Sequence, residues 1–236
     1  MQGLSERVAR VPADRTVAEV VARLTEIETQ LNGFFAPGGP GVPPDGVVCF
    51  NGMYLKVTEA VRDALPTFEN PAFIERLDIL FAQFYFDAYD AATDQAWVSK
   101  AWEPLFHRRG EHRLALQFAI AGMNAHINND LAHALVLTWN EMGFDAATRA
   151  DYDKINDILK RVEKDIKVPL SNPLIHEVDN AFGTTDDFLA LWSIRHARDQ
   201  AWDRARIMRH VDDRELDGLF DRIVGFAGNL LLGPAV

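Results

Sequence analysis

A single cysteine, Cys49, stands among the 236 residues, so neither an intrachain disulfide nor a cysteine-built zinc site is available. Basic charge is also scarce: 24 Lys and Arg face 35 Asp and Glu, for a net charge of −11. A chain of that sign has no electrostatic footprint for wrapping nucleic acid or lying on an anionic membrane. No run of about 18 apolar residues is present to span a bilayer. The first residues, MQGLSERVARVPADR, lack the apolar core of a signal peptide. The expectation is a cytoplasmic protein whose partner is a small-molecule substrate, with no nucleic acid and no membrane. Walker loop, G-x-S-x-G elbow, H-E-x-x-H and dinucleotide fingerprint are all missing. The glycines of 38–46 alternate with prolines, which lack the N–H donors of a phosphate cradle.

Period-2 alternation bounded by hairpin turns is missing too, and helical spacing takes its place. Thr16 with Glu19 forms a capping box ahead of Val17, Val20, Val21, Leu24 and Ile27. A helix follows over Val47–Leu65, with Asn51, Tyr54 and Thr58 on one line. Asn70 and Pro71 start another that runs to about Ala92. A connection over Trp97–Arg109 leads to the longest pattern, and Asp145 can cap the helix after it. Thr184 with Asp187 opens a further helix whose inner line is Leu191, Ile194, Ala201, Ala205 and Met208. The last runs from Asp213 and is apolar on Leu216, Leu219, Phe220, Ile223 and Phe226. The expected fold is all-α, a single domain over 1–236 in which seven or eight helices surround a central buried helix at about 112–142. A Pro/Gly-rich loop at 36–46 interrupts it, and its helical surface admits a homodimer without selecting a seam.

The central pattern is apolar on nearly every side from Leu114 to Met123, then abruptly polar. Asn124, His126, Asn128, Asn129, Asp130 and His133 arrive within three turns. At about 100° per residue, His126, Asp130 and His133 share one face. Two imidazoles and a carboxylate so placed suit a divalent metal such as zinc, iron or manganese. Alternatively they hydrogen-bond one another and the asparagines as a core network. Ala115, Ala119 and Gly122, upstream on the same face, leave close helix contact or room for a ligand. Asp78 and Arg198 are charges on otherwise apolar stripes, and buried charges persist when paired. The ion pair could join Asp78 or Asp130 to Arg198, or Arg198 could hold a substrate carboxylate or phosphate. Tyr54, beside Asn51 and Thr58, could serve as a general acid or cap an inter-helix hydrogen bond.

FNGMYLKVTEAV at 50–61, RLDILFAQFYFDA at 76–88, AGMNAHINNDLAHAL at 121–135 and HARDQAW at 196–202 together resemble the bacterial family catalogued as domain of unknown function 5995. The resemblance covers the chain from about Val47 onward and implies a helical fold without an assigned activity. A fainter similarity links His126 and Asp130 to the His-x3-Asp pair of zinc-dependent phospholipase C and single-strand nuclease enzymes. The chain departs from them in having Met1 where they have a ligating tryptophan, and in placing His133 closer than their next histidine.

Two functions compete. In an enzyme, His126, Asp130 and Tyr54 carry the chemistry and Asn51, Asn129, Arg198 and Asp78 position substrate. Its forms are a metal-assisted hydrolase through His126, Asp130 and His133, or a metal-free His/Asp acid–base isomerase, cyclase or lyase. In a non-catalytic helical module, the cluster is structural and apolar faces bind a ligand or protein. An open volume against His126 distinguishes the first from the second.

Overall fold

The structure, a computed structural model, describes residues 11–31, 45–170, 194–211 and 214–233, with backbone alone for 163–170. It is all-α, and no strand occurs among the described residues. Helix α1 (Val17–Gln30) begins as the capping box predicts, the Thr16 N–H donating to Glu19 Oε2 at 2.8 Å. Its stripe of Val17, Val20, Leu24 and Ile27 is buried. Helix α2 (Gly46–Ala64) is capped by Asp45, whose Oδ1 accepts from the Val47 N–H at 2.9 Å. A short 3-10 turn (Leu65–Thr67) leads to α3 (Pro71–Thr93), where Asn70 Oδ1 accepts from the Phe73 N–H at 3.0 Å.

The connection expected over Trp97–Arg109 contains a helix, α4 (Glu103–Arg108). Pro104 and Glu103 in its first turn favour a helix start, but six residues are too few to show a period. The central rod then runs as α5 (Ala115–Met123), a π turn (Asn124–Asp130) and α6 (Leu131–Met142). It starts a few residues later than predicted, where the Leu114 N–H donates to Gln117 Oε1 at 3.1 Å. Helices α7 (Thr148–Leu170), α8 (Ile194–Met208) and α9 (Arg214–Leu231) complete the described chain. Counting the rod as one, eight helices are described. Loop residues 36–44, the segment 173–182 and the helix start predicted at Thr184 lie outside the described residues.

Buried apolar side chains from these helices form one cluster around the rod. Gly122 makes the close contact expected of small residues, since a Cβ there would lie 2.4 Å from the Phe50 ring. Gly225 does the same for α9: a Cβ would meet the Lys100 carbonyl oxygen at 2.2 Å. Asp221 locks that approach by accepting the N–H groups of Lys100 at 3.0 Å and Ala101 at 2.8 Å. Helix α9 therefore docks by its glycines, while Leu219, Ile223 and Phe226 of its apolar stripe are exposed. Among the described residues no helix is long and apolar enough to cross a membrane.

Candidate active site

The polar block of the central helix folds as a π turn, and that changes which of its residues meet. A π turn takes one more residue per turn than an α-helix, so everything after it is rotated by about 100°. His126 and Asp130, four apart within the turn, stay in contact, with Nδ1 to Oδ2 at 3.2 Å. His133, beyond the turn, instead lies against Phe84 at 5.9 Å between ring centroids. The face expected to gather all three is not formed. Among the described residues no group of three His, Cys, Asp or Glu side chains is placed to hold a metal ion. The residues therefore do not fit a His126–Asp130–His133 metal centre, and no chemistry is derived through one.

The turn's irregular backbone is satisfied from distant helices. Arg204 Nη1 of α8 donates to the Asn128 carbonyl at 3.2 Å, and its Nη2 to Asp217 at 3.0 Å. Asn124 Nδ2 donates to the Val224 carbonyl of α9 at 2.9 Å, and Asn128 Nδ2 to Asn124 Oδ1 at 3.0 Å.

Asp130 is held on both oxygens. Its Oδ2 accepts from Trp102 Nε1 at 3.0 Å and faces His126 Nδ1, while Oδ1 accepts from Asn129 Nδ2 at 2.9 Å. A carboxylate is acceptor-only, so the His126 proton is assigned to Nδ1 and the Nε2 lone pair is free. Nε2 is buried without a hydrogen-bond partner. The imidazole stacks on Phe81, with centroids 3.5 Å apart and planes at 4°, and Tyr54, Trp102 and Phe50 close around it at 4.7, 5.8 and 5.7 Å. This aromatic surround desolvates the ring and lowers its pKa from the usual value, against the opposing pull of Asp130. At neutral pH the ring is neutral, with a basic nitrogen.

That nitrogen belongs to a residue lining a cavity of about 80 Å³ between α2, α3, the π turn, α7 and α8. Most of its wall is apolar, including Met53, Val57, Leu77, Ile127, Ile155 and Leu159. Its polar members are Tyr54, Asp78, His126 and Arg198. Three of these present a buried polar atom with no hydrogen-bond partner: Tyr54 Oη, Asp78 Oδ2 and His126 Nε2. Each such atom costs about 1–3 kcal/mol if left unsatisfied, so their gathering on one cavity marks a place for a polar group of a ligand. Burial, with a smaller contribution from Glu75, pushes the Asp78 carboxyl up to about 7. Burial raises the Tyr54 hydroxyl well above its usual value, helped by the charge of Asp78 and opposed by the nearby Thr58 hydroxyl. A wider surface trough of about 640 Å³ beside Thr67 and Phe68 is lined by Lys154, Asp157, Lys160 and Arg161 and holds none of these atoms.

Arg198 makes neither of the ion pairs anticipated from the sequence. Its Nε donates to Asn156 Oδ1 at 3.0 Å and Nη2 to the Tyr152 carbonyl at 2.7 Å, with the guanidinium 4.1 Å from the Tyr152 ring centroid. Asn51 is committed elsewhere: its Nδ2 donates to the Leu24 carbonyl at 3.0 Å and Glu28 Oε2 at 2.9 Å, and its Oδ1 accepts from Tyr85 at 3.2 Å. It fastens α1 and α3 to α2 and does not line the cavity. Asn129 lies behind the cavity wall on Asp130, and Thr58 Oγ1 donates to the Tyr54 carbonyl at 3.0 Å. The structure thus gathers Tyr54, Asp78, His126 and Arg198 on one volume, backs them with Asp130 and Asn129, and leaves Asn51 and His133 outside. Trp102 and Phe81, which fix Asp130 and His126, carried no sequence signal beyond being apolar.

The model of a family described as Family of unknown function (DUF5995) matches residues 17–234. No curated protein and no solved structure matches the chain.

Proposed function

Because the chain belongs to the Family of unknown function (DUF5995) over nearly its whole length, a relationship that brings no chemistry with it, we propose from the cavity itself a metal-free acid–base enzyme. It acts on a small, largely apolar molecule by moving a proton. The observation that carries this reading is that the unpartnered Nε2 of His126, Oδ2 of Asp78 and Oη of Tyr54 belong to residues lining one cavity. A base with an unpartnered lone pair and two hydroxyl donors, on residues lining the same cavity, suit proton abstraction beside a carbonyl.

The step balances within these residues. Nε2 takes a proton from a carbon next to the substrate carbonyl, and the electron pair of that C–H bond moves onto the carbonyl oxygen. Protonated Asp78 or Tyr54 donates to that oxygen, giving an enol. Asp130, already bonded to Nδ1, stabilises the imidazolium formed at His126, and Trp102 and Asn129 hold Asp130 in place. Return of the proton to another carbon completes an isomerisation, and loss of a leaving group in its stead completes an elimination.

Deuterium wash-in tests the reading without knowledge of the natural substrate. A panel of small ketones and aldehydes is incubated with the protein in D2O and followed by mass spectrometry. The wild type is expected to label members of the panel, and His126→Gln to lose on the order of 10²-fold or more of that rate. Equal labelling by wild type and a folded His126→Gln variant refutes the proposal. A non-catalytic cavity, the rival reading, labels nothing in either form.

A further inference from the structure

Arg198 is 5 % exposed, yet among the described residues it faces no carboxylate at ion-pair distance. The acidic groups of its neighbourhood are taken: Arg149 binds Asp153 at 2.9 Å and also Asp199. What holds Arg198 is neutral, namely an amide oxygen, a backbone carbonyl and the face of Tyr152. These acceptors engage two of the five guanidinium N–H groups, and among the described residues Nη1 makes no hydrogen bond. A buried cation whose bonded supports are neutral, and whose nearest carboxylates, Asp153 and Asp199, are bonded to Arg149 and act on it only through space, is stabilised further by an anion arriving from outside. Supports that fix Nε and Nη2 while sparing Nη1 also orient the guanidinium for one, because the planar fork matches a carboxylate.

The wall next to Arg198 defines the rest of the ligand. Ile155, Leu159 and Ile194 line the cavity with it, whereas Asp78, Tyr54 and His126 come from α2, α3 and the π turn. Asp78 owes its raised pKa to burial and Glu75, and Arg198 is not among the groups that shift it. The guanidinium and the carboxyl are thus separate features of one cavity, and an anion on Arg198 does not displace an internal pair. By the measure that gives one water about 10–15 Å³, about 80 Å³ corresponds to roughly five to eight heavy atoms.

We infer that the ligand of this cavity is a short monocarboxylate, its anionic end on Arg198 and its apolar body along Ile155 and Leu159 toward His126. The inference deepens the proposed acid–base reading by naming the substrate class, a small acid with a carbonyl, but its test reads binding alone. Pentanoate and its neutral counterpart pentanamide are titrated into the full chain by calorimetry or ligand-observed NMR. At pH 6 pentanoate is ionised, while Asp78, with a pKa of about 7, is largely protonated, and burial favours the uncharged forms of His126 and Tyr54. Pentanoate is expected to bind at least about tenfold tighter than pentanamide. Arg198→Gln should erase that preference, and Arg198→Lys should keep part of it. Equal binding of the two ligands to the wild type, no binding of either, or an undiminished preference in Arg198→Gln overturns the inference. The wild-type comparison decides even where a variant does not fold. If His126-dependent labelling of neutral ketones persists while pentanoate shows no preference, the anion site alone has failed. If pentanoate prefers Arg198 while labelling is absent, the base alone has failed.

Discussion

Asp78→Asn should stabilise this protein at alkaline pH, and the amount follows from one carboxyl. In the unfolded chain Asp78 releases its proton near 3.8; in the folded protein burial holds it to about 7. Across that interval the folded state binds a proton that the unfolded state has lost, so stability falls as pH rises. At about 1.4 kcal/mol per pH unit the gap amounts to about 4 kcal/mol, fully present below pH 4 and lost by pH 7. The residue as a whole is partly buried, so this figure is an upper value. Asparagine keeps the shape and has no proton to lose. Urea unfolding of both forms between pH 4 and pH 8 is the assay. The stability of Asp78→Asn minus that of wild type should climb from pH 4 to 7 by up to about 4 kcal/mol and then level. A difference flat over that range would falsify the argument, since Asp78 would then be as well solvated folded as unfolded. With Asp78 as the donor, the same titration predicts that the proposed activity falls above about pH 7; with Tyr54 as the donor it does not.

Two further perturbations test the packing that supports the cavity. Gly225→Ala places a methyl 2.2 Å from the Lys100 carbonyl oxygen, a backbone atom that cannot step aside, so α9 must shift. A loss of about 1–3 kcal/mol in thermal or urea unfolding is expected, and an unchanged midpoint would contradict the docking described here. Cys49 is wholly buried, and burial pushes its thiol well above the usual range. A thiol reagent such as DTNB should react with it only after unfolding; stoichiometric labelling of the native protein within minutes would show that α2 opens.

Most of the helices were legible because their signals are local. Thr16 with Glu19 and Asn70 with Pro71 each sit at a helix start, Asp145 heads the turn that leads into α7 at Thr148, and each accepts or donates as its type requires. Helix α4 was not legible, because six residues complete less than two turns. The docking of α9 was misleading in another way. Its apolar residues drew attention, but Gly225 and Gly228 bring its backbone against Lys100 and Pro104. A glycine face carries no hydrophobic signal at all.

The candidate site was legible as a place and illegible as a geometry. His126 and Asp130 stood out because several polar groups on an apolar helix must be held by something. That His133 belonged with them rested on 100° per residue, and the π turn breaks the count. Its causes are distant: Arg204 is 76 residues from the Asn128 carbonyl, and Val224 is 100 residues from Asn124. No local pattern encodes contacts of that range. Asp78 and Arg198 show the same limit, since a charge on an inner stripe reveals that it faces inward and not what lies across from it. An ion pair is the simplest expectation, whereas Arg198 is held by Asn156 and Tyr152 and Asp78 Oδ2 has no partner, with both residues lining one cavity. A chain selected for compactness alone gains nothing by interrupting its central helix and leaving Nε2, Oδ2 and Oη unpartnered around one volume. Local irregularity of this kind persists where surrounding contacts enforce it, and such sites cluster at functional positions. Arg204 and Asn124 supply the enforcement, and the unpartnered atoms supply the reason to look for a ligand.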